Sequence, residues 1–182
     1  DYPMADHKYV LQQLAAQRRY MDINKVGIHG HSGGGFMSTA AILTYPDFYK
    51  AAVSCAGNHD NSIYNRWWSE THHGVKEVVS EKGDTTFNYS IEANQDFVKN
   101  LKGHLLLVHG DMDDNVHPAN TIRVVDALIR ANKRFEMLYL PGQRHGFGDM
   151  DEYFFWKMAD FFSRWLIGDC EDSVDIRQMN NN

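Results

Sequence analysis

A serine set among glycines, Gly30-His31-Ser32-Gly33-Gly34-Gly35, separates a short, partly apolar run, Lys25-Val26-Gly27-Ile28-His29-Gly30, from a helical segment that Pro46 ends near Tyr45. That arrangement permits few chain paths. Small residues on both sides of Ser32 allow the chain to turn directly from a strand into a helix, and such a turn lifts the serine oxygen clear of the backbone. The pattern G-x-S-x-G in this setting is that of a nucleophile elbow; the competing reading is a glycine-rich turn that only packs a helix closely on a sheet.

The rest of the chain repeats the alternation of strand and helix. Residues 4–20 carry Val10, Leu11, Leu14 and Ala15 at helical spacing, and 51–55 and 104–109 read as strands, the latter (His104 to His109) apolar on both faces as in a parallel sheet. Ile122, Val125, Leu128 and Ile129 give residues 119–131 a helical period. A further strand over 135–140 ends at Pro141-Gly142, and a last helix places Phe154, Met158, Phe161, Phe162 and Trp165 on one face, read as core. The expected fold class is α/β, a parallel sheet of about four strands flanked by helices. Residues 56–103, rich in Asn, His, Trp and Tyr, do not fit a simple crossover and are read as a helical excursion over the C-terminal ends of the strands. Residues 1–168 are expected to form this unit, with 169–182 a polar tail.

With 182 residues, 43% of them hydrophobic, the chain can build a substantial core. Its formal charge of -6 argues against attraction to nucleic acid or to an anionic membrane, and no apolar run approaches the roughly 20 residues that span a bilayer. Its N-terminal residues lack the basic and apolar regions of a signal peptide, so the segment is expected to be soluble and without membrane contact. Cys55 and Cys170 match no metal or redox spacing and are read as free thiols. His72-His73 and His29/His31 invite a metal reading, yet no ligand set at metal spacing accompanies them, and no metal or other cofactor is expected.

A serine hydroxyl at its ordinary pKa is a poor nucleophile and needs a base, itself oriented by a carboxylate. Strand-ending motifs supply both. His109-Gly110-Asp111-Met112-Asp113-Asp114-Asn115-Val116 follows the third strand and Arg144-His145-Gly146-Phe147 the fourth, in the chain order Ser, Asp, His of α/β-hydrolases. His145 is the candidate base; from position alone Asp111, Asp113 and Asp114 all compete for the orienting role. Tyr64 and the pair Trp67-Trp68 lie in the excursion, where they either wall a substrate pocket or anchor that cap to the core.

Together, Gly30 to Gly35, His109-Gly110 with Asp113-Asp114-Asn115-Val116-His117, and His145-Gly146 resemble the C-terminal catalytic portion of the prolyl oligopeptidase family of serine peptidases, dipeptidyl peptidase IV branch, over about residues 1 to 167. The resemblance implies a truncated α/β-hydrolase fold in which Ser32 is acylated, His145 serves as base and then acid, and Asp113 holds the imidazole. It further implies that the Gly33 N–H supplies half of the oxyanion hole, that Asn115 holds the substrate carbonyl, and that Tyr64 and Val116 line the pocket for the residue at the cleavage site. The reaction implied is hydrolysis of a peptide substrate through an acyl-enzyme, releasing N-terminal dipeptides without a cofactor. The resemblance further suggests a periplasmic or secreted setting.

Departures from the family pattern carry expectations of their own. Gly33 stands where the branch has a pocket tyrosine, and Asp60 stands near the place of a second. Whole members of the family have a β-propeller and the first hydrolase strands before this segment. Without them residues 25–30 become an open sheet edge, and open edges seek partners, so a homo-oligomer is expected. Two other functions compete with the peptidase: a carboxylesterase using the same triad, and a non-catalytic association fragment.

Overall fold

The computed structural model describes residues 2–88 and 92–168; the expected polar tail 169–182, with Cys170, lies outside the described residues. Helix α1 (Tyr2–Gln17) leads to β1 (Val26–His31), α2 (Gly33–Thr44) and β2 (Tyr49–Cys55). Then come α3 (Arg66–His73), a hairpin of β3 (Lys76–Val79) and β4 (Thr85–Asn88), and a 3-10 helix over Asn94–Asn100. The chain continues through β5 (His104–Gly110), α4 (Ala119–Arg130), β6 (Glu136–Leu140) and α5 (Asp151–Phe162).

Four strands make one parallel sheet in the order β1-β2-β5-β6. Strand periodicity sorts its side chains into two layers. Ala52, Leu105 and Leu107 join Ile42, Leu43, Val124 and Leu128 on one face. Ala51, Val53, Leu106 and Val108 join Phe147, Phe161, Phe154 and Met158 on the other. Both central strands therefore carry apolar side chains on both faces, because helices cover the sheet on each side. Each fully buried leucine contributes about 1.5–3 kcal/mol relative to exposure.

The excursion departs from expectation. Among its described residues only α3 and the 3-10 turn are helical; Lys76–Val79 pairs antiparallel with Thr85–Asn88 as a separate two-stranded hairpin, and all four β3 residues are exposed. Trp165 also differs: it lies beyond α5 in the π-helical turn Ser163–Ile167, 38% exposed and stacked on His104.

Because the sheet is parallel, the C-terminal ends of β1, β5 and β6 lie along one edge. The segments carrying Ser32, Asp113 and His145 follow those three ends.

Candidate active site

Ser32 occupies the turn between β1 and α2 with φ 59° and ψ -122°, a left-handed conformation that side chains other than glycine rarely adopt. Backbone bonds hold it there: its N–H donates to the Cys55 carbonyl (2.8 Å), and its own carbonyl accepts from the Phe36 N–H (3.0 Å). Two glycines make the turn possible. A Cβ at Gly30 would stand 2.3 Å from the Gly34 carbonyl oxygen, and one at Gly35 would stand 2.4 Å from the Cys55 oxygen. Such a residue costs on the order of 1–3 kcal/mol and persists only where its surroundings impose it.

The Ser32 hydroxyl does not cap α2. Gly33 opens that helix, in the first turn where backbone N–H groups lack intrahelical partners and the helix dipole is positive. An oxyanion near Ser32 would meet such a donor.

Asp113 lies in the loop after β5, its side chain fully buried. Its Oδ1 accepts the N–H groups of Asn115 (3.0 Å) and Val116 (2.9 Å), and its Oδ2 accepts Nδ1–H of His145 at 2.8 Å. Burial by itself raises the carboxyl pKa. The bonds from His145, Val116 and Asn115 outweigh it and hold Asp113 below the usual carboxylate range. The buried carboxylate is therefore ionised at neutral pH.

The competition among the three aspartates is resolved by their partners. Asp111 accepts the Gly142 N–H (2.6 Å), and Asp114 pairs with the Arg144 guanidinium. Both are exposed, and both tie the Asp113 loop to the His145 loop, a role beyond that of solvated charges. Only Asp113 reaches the imidazole.

His145 is held from a second direction: its carbonyl accepts Nε2–H of His31 at 2.6 Å, and the two rings lie 4.6 Å apart. The residue beside the serine thus anchors the loop of the candidate base. From the sequence His31 invites only a metal reading and His109 only marks the motif after the third strand; His109 sits at the end of β5 beside Asp113.

The excursion lies against this edge. Tyr64 donates its hydroxyl to Asn115 Oδ1 (3.1 Å) and packs edge-on against Trp68 at 5.4 Å. Burial, with the Asp113 charge second, raises the Tyr64 pKa and keeps its phenol protonated. The Asn115 side-chain NH2 makes no hydrogen bond among the described residues. Trp68 stacks on His72 and lies 3.6 Å from where a Cβ on Gly33 would stand, whereas Trp67 is 73% exposed. Val116 is fully buried. Its N–H and carbonyl serve the Asp113 cluster.

Asp60 is buried, accepting from Ser62, from Gln95 (2.8 Å) and from Arg123 (2.5 Å). Cys55 does not compete as a nucleophile, since burial pushes its thiol up to about 12. A cavity of about 880 Å³, lined by Met4, Phe36, Met37, Leu43 and Phe97, includes none of the three candidate residues and is a different feature.

Comparison with known proteins gives one consistent picture. The sequence pattern of the prolyl oligopeptidase family matches residues 1–169. Dipeptidyl peptidase 8 of Mus musculus is 32% identical over 135 residues, 74% of this chain and 15% of that protein. Prolyl endopeptidase FAP of Mus musculus is 26% identical over 162 residues, 85% of this chain and 21% of its own. The crystal structure of Porphyromonas gingivalis dipeptidyl peptidase 4 superposes with a TM-score of 0.72 at 25% identity, covering 91% of this chain and 22% of that one. The chain therefore spans about a fifth or less of these relatives.

Proposed function

Given that the chain belongs to the prolyl oligopeptidase family, as the match over residues 1–169 shows, we propose that it is the triad-bearing part of a serine peptidase with an α/β-hydrolase fold. The observation that carries this reading is a strained serine at the end of β1, on the same sheet edge as a histidine bound to a buried, ionised aspartate.

In the proposed reaction His145 Nε2 takes the proton of Ser32 Oγ as that oxygen adds to the scissile carbonyl. Charge passes to the carbonyl oxygen, which the Gly33 N–H stabilises, and Asp113 stabilises the imidazolium by accepting its Nδ1–H. His145 then protonates the leaving amine, the C–N bond breaks, and the acyl group remains on Ser32 until water, deprotonated by the same imidazole, releases it. Asn115, oriented by Tyr64, offers its NH2 group to a neighbouring substrate carbonyl; Tyr64 and Trp68 border the pocket beside it, whereas Val116, which the resemblance implies as a pocket residue, is fully buried and instead holds Asp113. By likeness to the dipeptidyl peptidases, the full-length protein releases dipeptides from a free N-terminus.

A fluorophosphonate probe tests the nucleophile without requiring the right peptide. Labelling of the unsubstituted chain, lost in Ser32→Ala and reduced about 10³-fold or more in His145→Ala, is the expected result. A folded chain whose labelling survives Ser32→Ala overturns the assignment. In the full-length protein a dipeptide anilide should be cleaved in preference to a short acyl ester; the reverse preference would favour a carboxylesterase.

A further inference from the structure

His109 is fully buried four residues before Asp113, and its tautomer follows from its neighbours. Nε2 lies 2.8 Å from the Val116 carbonyl, which can only accept, so Nε2 carries the proton. Nδ1, 2.7 Å from Thr121 Oγ1, then accepts the threonine hydroxyl. Burial lowers the His109 pKa and keeps the ring neutral. A neutral imidazole satisfied at both nitrogens could be core filling and nothing more.

One further distance argues otherwise. His109 Nε2 is 3.1 Å from Asp113 Oδ2, the same oxygen that receives His145 Nδ1–H at 2.8 Å. Its N–H is directed to the Val116 carbonyl and lies beside the carboxylate, while Thr121 on α4 fixes the far side of the ring. Two backbone N–H groups hold Oδ1, and two imidazoles lie against Oδ2, so the plane of the carboxylate is set from both ends.

The geometry points to His109 as a positioning residue: its Nε2–H fixes Asp113 Oδ2 where His145 must donate, so two imidazoles on one carboxylate oxygen set the orientation of the base. The effect on rate rests on the peptidase reading above; the effect on His145 itself does not.

The test uses the 182-residue chain with His109→Gln, whose amide nitrogen reaches the place of Nε2, and His109→Leu, which keeps bulk and loses the donor. Two readouts are taken on samples that unfold cooperatively: the titration midpoint of His145, followed by NMR at its Cε1–H, and the rate of fluorophosphonate labelling. His31, the other ring beside His145, is common to every variant.

In His109→Leu the carboxylate swings away, the His145 midpoint falls, and labelling slows on the order of 10-fold, the size of one lost hydrogen bond to a charged group. His109→Gln restores the midpoint and stays within a few-fold of the unsubstituted rate. An unmoved or raised midpoint in His109→Leu overturns the proposal, as does a glutamine variant that behaves like leucine. If the unsubstituted chain fails to label while the midpoint still falls in His109→Leu and returns in His109→Gln, positioning stands and the peptidase reading of this chain is what fails.

Discussion

His145 Nδ1 meets Asp113 Oδ2 at 2.8 Å across 32 residues of sequence, on a carboxylate with no exposed side-chain surface. Because that oxygen can only accept, it fixes the proton on Nδ1 and leaves Nε2 to act as the base. Asp113→Asn can turn an NH2 group toward the ring and impose the wrong tautomer. Labelling by a fluorophosphonate should then fall about 10³-fold or more with the fold retained, as checked by circular dichroism.

Ser32 stores backbone strain. Glycine adopts its φ of 59° without that cost, so Ser32→Gly should gain about 1 kcal/mol in urea unfolding, while Ser32→Ala gains none of the relief. Both variants lose labelling, so stability and reactivity part company at this residue. Equal stability of the two would remove the strain argument.

His59 is fully buried; its Nδ1 accepts from Asn94, and its Nε2 has no hydrogen-bond partner among the described residues. Burial, followed by the neighbouring His109, lowers its pKa to about 3 from an ordinary 6.5. The unfolded chain therefore binds a proton that the folded chain refuses between those values, and stability is full above pH 6.5 and is lost as pH falls toward 3. Urea midpoints across that window should decline less steeply in His59→Phe than in the unsubstituted chain.

Asp60 joins the Tyr64 loop to α4 and the 3-10 turn through Arg123, Asn120 and Gln95. Although burial raises its carboxyl, the bonds from Ser62, Arg123 and Gln95 prevail and lower it. Asp60→Ala leaves several donors unpaired and should cost about 1–3 kcal/mol in urea unfolding. A loss well below that would show that the loop holds its shape without Asp60.

Strand β1 is an edge of the four-stranded sheet, and Tyr9, Val10 and Leu14 of α1 are exposed. An open edge and apolar side chains together favour association. Light scattering coupled to sizing should find a dimer or larger species at micromolar concentration; a monomer would count against self-association of this chain.

Much of this organisation was legible in local patterns. Short apolar runs and helical periodicity announced the four parallel strands and their helices, and the glycines around Ser32 announced the sharp turn. The hairpin was not announced, because the four residues of β3 are all exposed and no buried face imposes an apolar rhythm on them. Asp60, near a place expected for the pocket, proved to be a buried hub, since its partners come from a distant helix and turn.

By itself the sequence determined that a serine would stand on a strand-to-helix turn and that candidate acid and base would follow later strands, because each depends on neighbours a few residues away. From the residues themselves Asp111, Asp113 and Asp114 stayed in competition, with Asp113 singled out only by the family resemblance; that Asp113 faces His145, that His31 bonds the His145 carbonyl and that His109 lies against Asp113 were decided by the tertiary structure. The hydrogen bonds of His145 to His31 and to Asp113 join residues from separate strand ends, and they form only when the parallel sheet brings the ends of β1, β5 and β6 to one edge.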